Sequence, residues 1–124
     1  MVIIGIKTHF DAAHYLPNYP GKCKEMHGHT WTVWVEVEGE IDERTQMVLD
    51  FIELKKLIND CIGKYDHHIL NDLLPSIITE EGIFSCIPTC EALAKQIKKD
   101  LQKFSTLTIN SIKVQEGDGG WAVV

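Results

Sequence analysis

The sequence predicts an α+β fold: an antiparallel β-sheet with two helices on one face, in the order ββααββ. Three observations carry this. Residues 2–13 and 30–38 alternate apolar and polar side chains with the period of a half-buried strand. Two later segments, beginning near Asp50 and Thr89, instead repeat apolar residues every three to four positions, as one-sided helices do. Extended patterning then returns from Thr106 to the end of the chain. Strands and helices grouped in this way pack as a helical layer on an antiparallel sheet.

Each element has its own justification. Ile4, Ile6, Phe10 and Ala12 share one parity of the first strand, and a turn-rich loop, Leu16-Pro17-Asn18-Tyr19-Pro20-Gly21, follows it. In the second strand Trp31, Val33, Val35 and Val37 face one way, so the two strands form a wide antiparallel hairpin. Met47-Val48-Leu49 reads as short and extended. Asp50 starts the first helix, with Glu53 placed for a capping box, and Leu54, Leu57, Ile58, Cys61 and Ile62 form its apolar face before Gly63 ends it. Residues 64–88 read as irregular. Thr89 caps the second helix, whose buried stripe is Leu93, Ile97, Leu101 and Phe104. The parity of the third strand shifts between Ile109 and Ile112, which predicts a bulge near Asn110-Ser111. Gly117 to Gly120 is a turn, and Trp121 to Val124 a last short strand.

The chain of 124 residues, 44% apolar and 24% charged, suits one domain over residues 1–124. Its formal charge of −6 excludes a general footprint for a phosphate backbone, so nucleic acid is not an expected partner. No run approaches the ~20 apolar residues that span a bilayer, and the first residues lack the pattern of a signal peptide. A cytoplasmic protein with reduced thiols is expected, with no membrane partner.

The clustered histidines suggest chemistry. His27 and His29 are two apart on a strand and share a face, and His14 closes the strand across the hairpin. If the two apolar faces are one, three imidazoles converge and leave a fourth position open, as in catalytic zinc sites. The alternative is a set of surface or capping histidines. Cys23, four residues before His27 and flanked by Lys22 and Lys24, suits a fourth ligand, a base or nucleophile in cationic surroundings, or an inert loop thiol. Cys61 reads as core, and Cys86 and Cys90 as structural. Asp66-His67 suits a proton shuttle or a solvated turn. Glu116 suits either two parallel hydrogen bonds to a guanidine-like edge or plain solvation.

Taken in order, Phe10-x-Ala12-Ala13-His14, Cys23-x3-His27-Gly28-His29, Val48-Leu49-Asp50-Phe51-x2-Leu54-Lys55, Asp66-His67-x2-Leu70-Asn71-Asp72, Pro88-Thr89-x-Glu91 and Val114-x-Glu116 resemble the 6-pyruvoyl-tetrahydropterin synthase family. The Cys23-x3-His27 spacing resembles its carboxy-forming branch, the 6-carboxytetrahydropterin synthases of queuosine biosynthesis. The resemblance implies the tunnelling fold, in which subunits join sheets into a barrel, and a homo-oligomer, a hexamer, with active sites between subunits. It implies one zinc ion per chain on His14, His27 and His29, with Cys23, Asp66 and His67 catalytic. It further implies that Glu116 anchors the pterin and that Thr89 borders its pocket. The implied reaction converts 7,8-dihydroneopterin triphosphate to 6-carboxy-5,6,7,8-tetrahydropterin, releasing triphosphate and acetaldehyde. The family also holds 6-pyruvoyl-forming enzymes, and a non-catalytic pterin- or metal-binding barrel is the reading from another class. Ile87, Gly117-Asp118 and the long segment from Leu73 to Cys86 depart from the family pattern around the pocket's rim.

Overall fold

The computed structural model describes residues 1–84 and 86–124, without the side chain of Phe84. Strands β1 (Val2–His14) and β2 (His27–Gly39) pair antiparallel over their whole lengths, from Val2 opposite Gly39 to His14 opposite His27. β2 therefore opens on His27-Gly28-His29, as the placement of the two histidines on that strand requires, and the ladder continues through them. Helix α1 (Phe51–Ile62), the four-residue α2 (Leu70–Leu73) and a small hairpin of β3 (Ile77–Thr79) and β4 (Gly82–Phe84) follow. Helix α3 (Cys90–Phe104) leads to β5 (Thr108–Glu116) and β6 (Trp121–Val123), giving a main sheet of order β1-β2-β5-β6. Both α2 and the hairpin lie in the stretch expected to be irregular, where short elements leave little periodicity to read. Met47–Leu49 forms no strand.

One core lies between the sheet and the two long helices. The inward parity of β1 and β2 (Phe10, Ala12, Trp31, Val33, Val35 and Val37) meets Leu54 and Ile58 of α1, Leu93, Ile97 and Leu101 of α3, and Ile112 and Val114 of β5. Cys61 is buried on α1 as expected, whereas Phe104 is exposed, because it lies in the last turn of α3, beyond the sheet-facing stripe. Asp50 caps α1 by accepting from the Ile52 amide and Thr89 caps α3 by accepting from that of Ala92, but no return bond from Glu53 completes a capping box among the described residues. The predicted bulge is present: Ser111 faces Glu36 and Ile109 faces Val37, which leaves Asn110 as the extra residue.

The segment after α1 is tied to the rest by one buried group. Tyr65 is fully buried, and its hydroxyl donates to Asp100 Oδ2 on α3 at 2.7 Å. Lys64 Nζ lies 2.9 Å from the same oxygen and Gln96 donates to Oδ1. Burial and the Asp100 carboxylate push the Tyr65 phenol far up, so it remains a donor. Tyr65 immediately precedes Asp66, so this contact sets where Asp66-His67 begins. Tyr65→Phe is expected to destabilise the protein by about 1–3 kcal/mol, the range for a buried hydrogen bond to a charged group. Urea denaturation checks it, and an unchanged midpoint contradicts the assigned contact.

Candidate active site

The site stands at the end of the main sheet, where the ladder runs out. His14 and His27 face each other across β1 and β2, and Ala12 faces His29, so all three imidazoles share the inward face. They contact edge to face, with ring centroids 4.6 to 5.2 Å apart. Beneath them the buried Trp31 ring stands edge-on to His14 at 4.9 Å and to His29 at 5.6 Å, its indole N–H donating to Ala12 O. Trp31 is thus the floor of the cluster, a role its parity could have signalled.

Backbone carbonyls set two of the tautomers. His14 Nδ1 lies 2.9 Å from Pro88 O, and His27 Nδ1 lies 2.7 Å from Glu25 O. A carbonyl oxygen can only accept, so each Nδ1 carries a proton, and in the neutral ring Nε2 is the atom that presents a lone pair. Burial holds His29 below the ordinary histidine range, with Glu116 opposing this and the two neighbouring histidines adding to it. These carbonyl partners leave no side-chain signature, so sequence reasoning had nothing from which to find them.

Glu116, at the end of β5, closes the group. Its Oε1 lies 2.9 Å from His14 Nε2 and 3.1 Å from His29 Nε2. One ligand atom from each of His14, His27, His29 and Glu116 falls within 4.8 Å of the others, so this group can hold a metal ion. A direct test of fit comes from the nitrogens: His14 Nε2 and His29 Nε2 are buried yet make no hydrogen bond. Buried ring nitrogens without a hydrogen-bond partner are costly in a protein alone, and a cation is a partner they can accept. Two such imidazole nitrogens beside a carboxylate therefore fit a divalent transition metal.

Cys23 lies in a short 3-10 turn, Lys22–Lys24, and shares a groove of about 450 Å³ with His27, His29, Glu116 and Gly117 to Gly120. Gly117 has φ of 55°, and a Cβ there would come 3.6 Å from His29 Nδ1. The other three thiols are structural in their surroundings. Cys90 donates to Val114 O, Cys86 donates to Asn71 O, and burial pushes Cys90 up to about 11.

Asp66 and His67 open elsewhere: His67 lines a groove of about 520 Å³ with Asp11, Thr30 and His29, and both residues line a second cleft beside Lys55 and Asn59. None of these grooves contains both Cys23 and the dyad. His67 Nδ1 donates to Asp66 Oδ2 at 2.8 Å, which raises His67 above the ordinary imidazole range. The Asp11 amide, followed by His67, lowers Asp66.

What joins the dyad to the metal group is the edge of β1. Asp11 N–H donates to Asp66 Oδ1, His67 N–H to Asp11 O, and Ala13 N–H to His68 O. Asn71 then mimics a peptide group, accepting from Tyr15 N–H at 3.0 Å and donating to Tyr15 O at 2.8 Å. Residues 66–71 thus cover β1 like a strand, and Asp11 and Asn71 are positioning residues that sequence reasoning did not single out. Thr89 is half-buried, with its hydroxyl oxygen accepting from α3, next to the Pro88 carbonyl that orients His14.

This arrangement can be compared with known proteins. The family described as 6-pyruvoyl tetrahydropterin synthase matches residues 3–124. The chain belongs to that family. It is 35% identical over 123 residues to an Archaeoglobus fulgidus protein provisionally named 6-carboxy-5,6,7,8-tetrahydropterin synthase, covering 99% of this chain and 95% of that one. A Synechocystis 6-carboxy-5,6,7,8-tetrahydropterin synthase is 35% identical over 121 residues, covering 94% and 87%. The solved 6-pyruvoyl tetrahydropterin synthase of Caenorhabditis elegans superposes with a TM-score of 0.80 at 22% identity over 99% of this chain and 94% of that one, which shows the shared fold.

His67 carries a backbone constraint that tests the site's design. Its φ is 59°, in the left-handed region that favours glycine, and its amide is held by Asp11 O at 2.6 Å. His67→Gly is therefore expected to be more stable than His67→Ala by about 1 kcal/mol, although both lose the imidazole. Urea denaturation of the two variants decides it, and equal stability contradicts the assigned strain.

Proposed function

We propose that the protein is a zinc-dependent lyase that converts 7,8-dihydroneopterin triphosphate, with one water, to 6-carboxy-5,6,7,8-tetrahydropterin, triphosphate and acetaldehyde. The observation that carries this reading is one groove in which Cys23 lies beside His27, His29 and Glu116 of the metal group. The names of the relatives and the Cys23-x3-His27 spacing support the carboxy-forming product. Such a product belongs to the synthesis of queuosine.

His14, His27 and His29 would hold the zinc, which when bound supplies a Lewis acid that makes protons beside a substrate oxygen more acidic. Cys23 Sγ, as thiolate, takes and returns those protons. His67, with Nδ1 committed to Asp66, exchanges a proton through Nε2 on the opposite side of the substrate. Glu116 accepts two parallel hydrogen bonds from the 2-amino and N3 edge of the pterin, and Thr89 borders the ring. Triphosphate leaves by elimination, and a retro-aldol-like cleavage then releases the two-carbon unit.

Because Cys23 and the dyad open onto different grooves, the complete site takes the dyad from a neighbouring copy in a homo-oligomer. The uncovered sheet face, with Trp34, Trp121, Lys7 and Lys113 stacked on it, supports assembly of sheets into a barrel, and a hexamer is the reading. No helix of the described residues is long and apolar enough to cross a membrane. We place the enzyme in the cytoplasm.

Incubation of the zinc-loaded protein with dihydroneopterin triphosphate is expected to yield acetaldehyde and the 6-carboxy product, at a rate that Cys23→Ala lowers by about 100-fold or more. Triphosphate release without acetaldehyde indicates 6-pyruvoyl formation instead. Full turnover by Cys23→Ala contradicts the role of the thiol.

A further inference from the structure

Glu116 has a contact that pterin anchoring alone does not explain. Its Oε1 is 2.9 Å from His14 Nε2 and 3.1 Å from His29 Nε2, yet neither nitrogen is hydrogen-bonded. His14 Nδ1 is already committed to Pro88 O, and Oε1 lies beside Nε2 without the alignment of a hydrogen bond. A cation next to both would give each atom the partner it lacks. The spacing identifies the oxygen's place. It is too long for Oε1 to occupy the metal's own position, since zinc–ligand bonds are ~2.1 Å, and it approaches the ~3.4 Å that separates two ligands of a tetrahedral ion with such bonds. Oε1 thus stands where a fourth ligand stands, alongside the nitrogens rather than in front of their lone pairs.

We propose that Glu116 is the fourth ligand of the resting metal centre and that a bound pterin withdraws it. The second half rests on the functional reading above, in which the same carboxylate holds the pterin edge. Two parallel hydrogen bonds to that edge use both carboxylate oxygens, so Oε1 cannot also remain on the metal. The backbone of Glu116 is fixed, its amide donating to Gly120 O and its carbonyl accepting from Gly119, so the exchange is a side-chain rotation at the groove's rim. The carboxylate is one-third exposed, which leaves it room to turn. The resting centre is then closed to water and stray anions. The correct heterocycle opens the fourth position as it binds, in time for the substrate's side-chain oxygens to take it.

The test uses protein reconstituted with Co²⁺ and reads its visible spectrum while azide is added. Wild type is expected to resist azide, and Glu116→Ala to bind it. The same variant and Glu116→Gln are expected to lose at least ~10-fold in cobalt affinity, no less than outer-shell losses produce. Circular dichroism confirms that each variant is folded. Unsubstituted pterin, followed by its own fluorescence, is expected to make the wild-type cobalt centre reactive to azide. Equal azide binding by wild type and Glu116→Ala, or unchanged cobalt affinity, overturns the ligand role. Pterin that binds while azide stays excluded overturns the exchange and leaves the pterin site standing. Absence of pterin binding overturns the functional reading and the exchange together, while the azide comparison still decides the ligand role.

Discussion

Two hydrogen bonds from imidazole Nδ1 protons to main-chain carbonyls, His14 to Pro88 and His27 to Glu25, determine what this sheet end can do. Each fixes a tautomer and a ring orientation, and so turns an Nε2 lone pair inward before any ligand arrives. The carbonyls come from outside the hairpin ladder, one from the cap of α3 and one from the loop before β2. Burial completes the effect. A ring nitrogen with water beside it costs little, but here His14 Nε2 and, beside it, His29 Nε2 are enclosed without a hydrogen-bond partner, a cost that a bound cation would relieve.

The elements around the cluster serve this geometry. Long pairing of β1 and β2 sets His14 opposite His27, and Trp31 supplies a rigid floor that blocks collapse of the rings into the core. The edge of β1 then carries the dyad segment through Asp11, Ala13 and Tyr15, alternate residues whose side chains point away from the core. One strand therefore holds the metal group on its face and the Asp66-His67 pair along its edge. Tyr65, anchored to Asp100, ties that segment to the helical layer as well.

Much of this was legible in the residues. Period-two alternation placed His27 and His29 on one face and His14 on the apolar parity of β1, two faces that the ladder makes one, and the shift in parity at Asn110 predicted the bulge that the register shows. Short elements were not legible: a four-residue helix and a hairpin of two three-residue strands leave too few positions for a period to emerge. The orienting groups were also hidden, for a different reason. Pro88 and Glu25 act through main-chain oxygens, which every residue has, and Asn71 acts by imitating a peptide group, which depends on where the chain folds back. Glu116 was legible as a carboxylate at a strand end, but its approach to two imidazole nitrogens depends on the pairing of β5 with β2 and could not be read from spacing.

The account depends most on the tautomers. Long-range proton–nitrogen correlation spectra of ¹⁵N-labelled, metal-free protein at neutral pH read them directly. The structure predicts that the neutral rings of His14 and His27 carry the proton on Nδ1, with Nε2 bare. A neutral tautomer with the proton on Nε2 in either ring would contradict it, because the lone pair turned toward the metal group would not exist.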